Sequence, residues 1–304
     1  MLEQGNRGLT RIDHDRGGGL SLERKACEMI GILRTVKNKI DTWRLRCQPQ
    51  AYIISYPKSG RTWLRLLVGK VLCDRFSVDP IHTLNTLRVT TLARVLPTKF
   101  THDGSGMREW SHFGRPAPSK TQYQGKKVVL LVRDPRDVMV SCYFQATKRI
   151  NVYQGTISDF VREAHFGIER CVTFYSVWGQ NRRVPAEFLL VRYEDMHADP
   201  QQVLKSVLDF MGVCDVSGQM LDSAVEFGRF DNMKKLEATG HFKRQVLRPG
   251  DATDQESFKV RRGKVGGYSD YLNPIDCQYL THVIADAHCP FLDPYLQHAT
   301  RAAA

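Results

Sequence analysis

The sequence predicts a protein of the α/β class, a single domain whose central parallel sheet is flanked by helices on both faces. Short apolar runs alternate with stretches in which apolar residues recur at helical spacing. Strands that are buried on both faces of a parallel sheet read as apolar runs of this kind. After Pro49 the chain shows no internal repeat and no linker, so residues 49–304 are expected to form one body.

The order of elements follows from these patterns and from the turn residues between them. Strands are expected at Tyr52–Ser55, around Lys99–His102, at Lys127–Arg133 and at Phe188–Tyr193. Helices are expected at Arg61–Cys73, Pro135–Lys148, Ser158–Gln180, Pro200–Met211, Gln219–Phe227 and near Pro274–Ala287.

Residues 1–48 are expected to form an N-terminal extension. Its first part is glycine-rich and weakly patterned, and a helical pattern then begins with Ser21 as the candidate N-cap. The basic face of this helix allows a peripheral membrane contact, but we prefer a helix that packs on the domain and leaves that face in water.

Apolar segments, cysteine spacing and net charge limit the classes of protein to which this chain can belong. No apolar segment is long enough to span a bilayer and the N-terminus is not signal-like, so a cytoplasmic location is expected. The eight cysteines are scattered without a Cys-x-x-Cys pair, which favours reduced thiols over a disulfide framework or a zinc site. The net charge of +12 indicates anionic ligands, acidic partners or a polyanion.

The segment Tyr-Pro-Lys-Ser-Gly-Arg-Thr-Trp, from Tyr56 to Trp63, links the first strand to the first helix. A strand, a glycine turn and a helix N-terminus form a P-loop-like anion site, because unpaired N–H groups and the helix dipole favour phosphate or sulfate. Lys58 adds a charge, and Ser59 and Thr62 add hydroxyls. A nucleotide kinase would place its lysine directly after the second glycine, and this chain does not.

This segment closely resembles the loop of cytosolic-type sulfotransferases, which use 3′-phosphoadenosine 5′-phosphosulfate (PAPS). The resemblance implies that the loop binds the 5′-phosphosulfate end, that its lysine reaches the bridging oxygen and that Trp63 stacks on adenine. The loop residues so implied are Lys58, Ser59, Gly60, Arg61, Thr62 and Trp63. Arg61 stands where the family usually has threonine.

A second motif, Arg-Asp-Pro-Arg-Asp, follows the third strand. Its first residue, Arg133, comes where ligands bind in open parallel sheets, and a guanidinium suits bidentate recognition of phosphate. By itself the motif is equally a charge-rich turn. Together with the loop it resembles the family segment in which an arginine and a serine, here Arg133 and Ser141, hold the 3′-phosphate.

Three further segments extend the resemblance over roughly residues 50 to 270. A basic glycine loop resembles the family segment that contacts the 3′-phosphate, and it contributes Arg261, Arg262 and Gly263. The segment around Phe230 and Met233 resembles the one that covers the second face of adenine. Tyr193 corresponds to a tyrosine that approaches the adenine.

Sulfuryl transfer needs a base on the acceptor side and a cation on the leaving side. The family places a histidine after Lys-Thr, and this chain offers His102 after Lys99-Phe100-Thr101. We prefer His102 to His112 as the base because it ends a strand, and Lys58 is the cation. The resemblance implies that Ser141 restrains Lys58 until the acceptor binds. No residues have metal-ligand spacing, so no metal is expected.

The acceptor is expected to be a small molecule with a hydroxyl or an amine, and a carbohydrate is the alternative. A nucleotide kinase and a nucleic-acid-binding protein are the rival classes, but the basic residues cluster at strand ends and loops rather than along one face. The stretch Ser269 to Ile275 does not match the segment through which many family members dimerise, so a monomer or a dimer through another surface is expected.

Overall fold

The computed structural model describes residues 48–107, 116–242 and 247–302. The expected N-terminal helix lies outside these residues, as do His112 and the segment around it. Among the described helices, none combines the length and the apolar character that crossing a membrane requires.

The predicted sheet is confirmed. Four strands pair in parallel in the order β2-β1-β3-β4. In chain order they are β1 (Ala51–Ser55), β2 (Thr98–Thr101), β3 (Lys127–Val132) and β4 (Glu187–Arg192). Because all four run the same way, the residues that follow them meet at one edge of the sheet: Tyr56, His102, Arg133 and Tyr193.

Helices connect and surround these strands. They are α1 (Arg61–Phe76), α2 (Thr86–Leu92), α3 (Pro135–Phe144), α4 (Ile157–Arg162), α5 (Ile168–Gln180), α6 (Tyr193–Ala198), α7 (Pro200–Phe210), α8 (Gly218–Phe227), α9 (Phe230–Ala238), α10 (Pro274–Asp286) and α11 (Asp293–Ala302).

Both faces of the sheet are covered, as predicted, and alternation along the strands explains why. Ile53 and Val129 are paired across the sheet and are buried against the apolar sides of α1, α7 and α8. Ile54 and Leu130, one residue further along, point to the other face and are buried against α3, α5 and α10. The sheet is therefore the middle layer of three.

One predicted helix is wrong. The stretch Ser158–Gln180 divides into α4 and α5, because Glu163 leaves the helical conformation and its side chain accepts the N–H groups of His165 and Phe166 at 2.6 and 2.7 Å. A Cβ on Gly167 would lie 2.4 Å from the Glu163 carbonyl oxygen, so this return of the chain requires glycine.

The helix predicted at Pro135–Lys148 ends as an α-helix at Phe144 and continues as a π-helical turn, Gln145–Arg149. Such turns are frequent at functional sites because they change the direction in which side chains project. Here the turn carries Gln145 and Arg149, which both line the cavity described next.

Candidate active site

A cavity of about 910 Å³ lies at the edge of the sheet where the strands end. It is large enough for a nucleotide and a second small molecule. All the site residues predicted from the sequence line it except Ser59, whose side chain is fully buried. The Ser59 hydroxyl lies 3.1 Å from the Tyr175 hydroxyl, so only its backbone is available to a ligand in the loop.

The loop between β1 and α1 has a strained backbone. Lys58 and Gly60 both have positive φ, at 67° and 93°. A Cβ on Gly60 would lie 2.4 Å from the Tyr193 ring, so the close approach of loop and ring requires glycine. No side chain caps α1 and no acidic residue lies in its first turn, which leaves the first N–H groups and the dipole to a ligand.

The Lys58 ammonium points into the cavity region from the start of this loop. Its Nζ donates to Gln145 Oε1 at 3.3 Å, so Gln145 holds it, and the expected restraint by Ser141 is not seen. The Ser141 hydroxyl has no hydrogen-bond partner within the described part of the chain. Burial, together with the charges of Arg149 and Arg261, lowers the pKa of Lys58 to about 7. A bound anion would reverse that shift.

Arg133 joins the loop to the basic segment near residue 264. Its guanidinium donates to the carbonyl oxygens of Lys58 and Lys264, at 3.2 and 3.1 Å, and lies 3.3 Å from the Asp137 carboxylate. It also stacks 4.2 Å from the Tyr193 ring centroid. These contacts hold the Arg133 guanidinium at the edge of the sheet where the strands end. A phosphate oxygen can replace one of the two carbonyl oxygens as the acceptor.

Asp137 was not singled out in the sequence, although it stands in the Arg-Asp-Pro-Arg-Asp motif. Its carboxylate accepts the backbone N–H groups of Gly266 and Tyr268, both at 2.9 Å, and thereby anchors the basic glycine loop against α3. Burial raises its pKa, and the charge of Arg133 opposes this.

The basic glycine loop brings Arg261 and Arg262 to the cavity, each already paired with a carboxylate. Arg261 lies 3.1 Å from Glu256, and Arg262 lies 2.7 Å from Asp270. Gly263 has a φ of 61°, and a Cβ there would lie 2.7 Å from the Phe230 ring. The backbone can therefore approach both a ligand and that ring closely.

Aromatic side chains line the cavity beside these cations. Trp63 and Phe230 both contribute, and Tyr193 meets Trp63 edge-on with ring centroids 6.0 Å apart. The indole Nε1 of Trp63 is buried without a hydrogen-bond partner in the described residues. Met233, on the same helix as Phe230, is buried nearby. Such a set suits a flat heteroaromatic ring.

His102 follows β2 and is held in one tautomer. Its Nδ1 lies 2.8 Å from the carbonyl oxygen of Ser55, and because that oxygen only accepts, Nδ1 carries the proton. Nε2 of the neutral ring is then free to accept a proton. Burial, followed by the charge of Arg61, lowers the pKa of His102 well below its ordinary value. The ring is therefore unprotonated at neutral pH.

Asp103, the next residue, anchors the His102 segment, and sequence reasoning missed it. It has a φ of 50°, and its carboxylate lies 2.6 Å from Nζ of the fully buried Lys120. The same carboxylate accepts from the Tyr123 hydroxyl at 2.7 Å and from the Trp178 indole at 3.2 Å. No motif marks this pairing, since its members come from separate segments.

Asp103→Asn is expected to destabilise the fold by roughly 3–5 kcal/mol, because it leaves the Lys120 ammonium buried without a counter-charge. Urea unfolding measures the loss. The matched control is the double variant Asp103→Asn/Lys120→Met, which removes the stranded charge and should recover much of the stability. A double variant as unstable as the sum of the two single variants would show that the ion pair is not the cause.

Four more cations at the cavity were not predicted: Arg149, Arg229, Lys259 and Lys264. Arg149 projects from the π-helical turn and donates to the carbonyl oxygen of Arg248. Lys259 lies beside the predicted basic pair, but a single lysine in a basic loop gave no separate signal. No group of side chains within the described residues has the composition of a metal site.

The cavity joins an uncapped helix N-terminus, two clusters of cations, a set of aromatic rings and the imidazoles of His102 and His197. These features fit a nucleotide that carries phosphate at two positions, with a proton acceptor beyond it. They fit PAPS, the cofactor that the sequence resemblance implied.

Comparison with known proteins agrees with this description. The Sulfotransferase domain family matches residues 48–288. A flavonol 3-sulfotransferase from Flaveria bidentis is 25% identical over 239 residues, which cover 72% of this chain and 75% of that protein. Cytosolic sulfotransferase 17 from Arabidopsis thaliana is 27% identical over 244 residues, which cover 73% and 69%.

Solved structures show the same fold. Mouse sulfotransferase SULT7A1 complexed with PAP superimposes with a TM-score of 0.56 at 19% identity, and the match covers 82% of this chain and 89% of that one. Retinol dehydratase in complex with androsterone and inactive cofactor PAP gives a TM-score of 0.52 at 20% identity, covering 78% and 80%. With the family match over most of its length, this chain belongs to the sulfotransferase family, and cytosolic sulfotransferases are among its relatives.

Proposed function

We propose that this enzyme transfers the sulfuryl group of PAPS to a hydroxyl or amine of a small-molecule acceptor by in-line displacement. The observation that carries the proposal is the placement of a neutral imidazole, His102, and a cation, Lys58, on one cavity that also holds phosphate-type donors. Acid–base work and charge neutralisation are the two tasks that sulfuryl transfer gives to a protein.

The cofactor site is assigned to the residues predicted from the sequence. The backbone of residues 58–62, with Lys58 and the Thr62 hydroxyl, would hold the 5′-phosphosulfate. The 3′-phosphate would be bound by Arg133, Ser141, Arg261, Arg262 and the Gly263 backbone. Adenine would lie between Trp63 and Phe230, with Tyr193 and Met233 beside it. Support comes from their common cavity and from the PAP complexes of structural relatives.

PAPS supplies an activated sulfuryl group. The protein's part is to take the acceptor proton on His102 Nε2 while the Ser55 carbonyl holds Nδ1–H and so stabilises the ring's orientation. Lys58 would hold the leaving phosphate, and its protonated ammonium would offset the charge that develops there. Gln145, which accepts from both Lys58 and Arg149, takes the positioning role expected of Ser141.

We also propose an acceptor class, a location and an oligomeric form. Two relatives support a small acceptor. One is named as a flavonol 3-sulfotransferase, and the other, retinol dehydratase, was solved in complex with androsterone. A cytoplasmic location is supported by relatives named as cytosolic sulfotransferases. A carbohydrate acceptor is the second candidate for the acceptor class. The proposed form is a monomer or a dimer that does not pair through residues 269–275.

A screen with radiolabelled PAPS against phenols, alcohols, sugars and amines tests the proposal directly. Transfer of label to at least one acceptor without added metal is the expected result. The proposal fails if the folded protein neither transfers label nor binds PAP.

Arg133→Ala is expected to weaken PAP binding by roughly 1.5–3 kcal/mol, because it removes charged hydrogen bonds to the 3′-phosphate. Isothermal titration calorimetry measures the change. Arg133→Lys is the matched control: it keeps the charge, loses the fork and should lose less affinity. Since Arg133 also joins two loops, thermal unfolding of each variant accompanies the titration. Unchanged PAP affinity in a folded Arg133→Ala protein contradicts the assignment.

A further inference from the structure

The hydroxyl of Tyr175 lies between the two segments that the proposed function assigns to the two ends of the cofactor. Tyr175 is on α5, and its side chain is fully buried. Its hydroxyl lies 3.1 Å from the hydroxyl of Ser59, in the loop after β1. The same hydroxyl accepts the backbone N–H of Arg133, which follows β3, at 3.4 Å. One phenol therefore joins two segments that are distant in the chain.

Both hydrogen bonds can form at the same time. The Arg133 N–H donates to the phenol oxygen, so the hydrogen of the phenol is available to the Ser59 oxygen. The side chains of Ser59 and Tyr175 are both fully buried, and a buried polar group that loses its partner destabilises the structure. The Tyr175 ring packs beside Tyr56 and Phe174, with centroids 6.4 and 5.7 Å away. The core of the protein thus sets the position of the hydroxyl.

The bond to Ser59 anchors the strained part of the loop. Ser59 lies between Lys58 and Gly60, whose φ angles are 67° and 93°. A lysine rarely adopts a positive φ, so the surroundings must hold the loop in this shape. Because the Ser59 side chain is bound in the core, the backbone N–H groups at the start of α1 remain for a ligand.

A second connection between the same two segments lies on the ligand side. The Arg133 guanidinium donates to the carbonyl oxygen of Lys58 at 3.2 Å. A phosphate oxygen that takes over this donor removes the connection. Tyr175 is fully buried and does not line the cavity, so a ligand does not compete for the phenol bridge. The bridge can therefore keep the two segments in place while the Arg133 side chain binds a phosphate.

We infer that Tyr175 is a positioning residue that sets the spacing between the loop after β1 and Arg133, so that one nucleotide with phosphates at both its 5′ and 3′ positions engages both. The inference rests on the proposed function and adds to it a residue that touches no ligand. A ligand with two phosphates gains from a fixed spacing, because its second phosphate binds without a further cost of ordering the protein. A ligand with one phosphate gains little.

PAP and adenosine 5′-monophosphate differ only in the 3′-phosphate and provide the test. Competition calorimetry with the full-length protein gives the ratio of the Kd of the monophosphate to the Kd of PAP. Tyr175→Phe removes only the hydroxyl, and this ratio should fall by roughly two- to tenfold, the range expected for one neutral hydrogen bond. The affinity for the monophosphate should change much less. A loss of general stability would not change the ratio.

A second variant and a matched control identify the bridge. Ser59→Ala breaks it from the loop side and should lower the ratio in the same direction, which tests the inference even if Tyr175→Phe does not fold. The double variant should lose less than the product of the two single effects, because both changes remove one shared bond. Tyr143→Phe removes a hydroxyl that donates to the Gly155 carbonyl oxygen at 3.1 Å, and it should leave the ratio unchanged. Thermal unfolding of each variant shows whether it is folded.

The outcomes separate the inference from the proposed function. If the native protein does not bind PAP, the proposed function fails and the inference fails with it. If PAP binds but folded Tyr175→Phe keeps the native ratio, or loses affinity for both nucleotides by the same factor, Tyr175 has only a structural role and the inference is overturned. An unchanged ratio in folded Ser59→Ala overturns it as well.

Discussion

Replacement of His102 by alanine should lower turnover by roughly 100- to 10,000-fold, the usual cost of removing a general base, and leave PAP affinity near that of the native protein. The ring is positioned for this role through the Ser55 carbonyl, and it is not among the residues assigned to the 3′-phosphate. Steady-state kinetics with the labelled acceptor and calorimetry with PAP measure the two quantities separately.

The matched control is His282→Ala, which removes an exposed histidine that pairs with Asp286 on α10. It should leave turnover and PAP affinity unchanged. If the His102→Ala enzyme keeps near-native turnover on its true acceptor, His102 is not the general base. His112, which lies outside the described residues, is then the next candidate.

The pH profile gives a second measurement of the same assignment. A base must be unprotonated to act, and burial with the neighbouring Arg61 charge lowers the pKa of His102. The acid limb of kcat/KM should therefore fall at a pH below the ordinary histidine range, with the rate lost as pH decreases through the lowered pKa. A limb at or above the ordinary value contradicts the buried, cation-flanked environment.

The parts of the fold that could be predicted are those marked by short sequence patterns, such as apolar runs and glycine turns. Ile53 and Ile54 lie in an apolar run, and burial of both faces follows from it, so the parallel three-layer arrangement could be read from the sequence. The glycine turn before Arg61 likewise marks a helix start. The break at Gly167 was missed because it depends on a contact with the Glu163 carbonyl, which no periodicity reveals.

The candidate site also contains residues that the sequence could predict and residues that it could not. Lys58, Arg133 and Gly263 belong to short motifs whose residues act together within one segment. Asp103 and Gln145 act through partners that are distant in the chain, Lys120 and Lys58. These roles depend on contacts that form only when the chain folds. The spacing of residues in the sequence therefore could not predict them.

Lys58→Ala is expected to damage both cofactor binding and catalysis. PAP affinity should fall by roughly 1.5–3 kcal/mol through the loss of a charged hydrogen bond. Turnover should fall by a further factor of about 100 to 1,000, because a cation placed at developing charge contributes most in the transition state. Calorimetry and single-turnover kinetics measure these losses, and equal rates after saturation with PAPS would contradict the catalytic role.

The lowered pKa of Lys58 also predicts that PAP binding is coupled to proton uptake. In the free protein burial lowers it to about 7, and a bound phosphate should raise it again, so PAP binding above pH 7 should take up a proton. Affinity is then greatest below that pH and declines as pH rises through it. Titrations in buffers of different ionisation enthalpy detect the proton, and Lys58→Met should abolish its uptake. Uptake that persists in Lys58→Met would assign the titrating group to another residue of the cavity, with Lys259 the first to examine, since burial and the same neighbouring charges lower its pKa too.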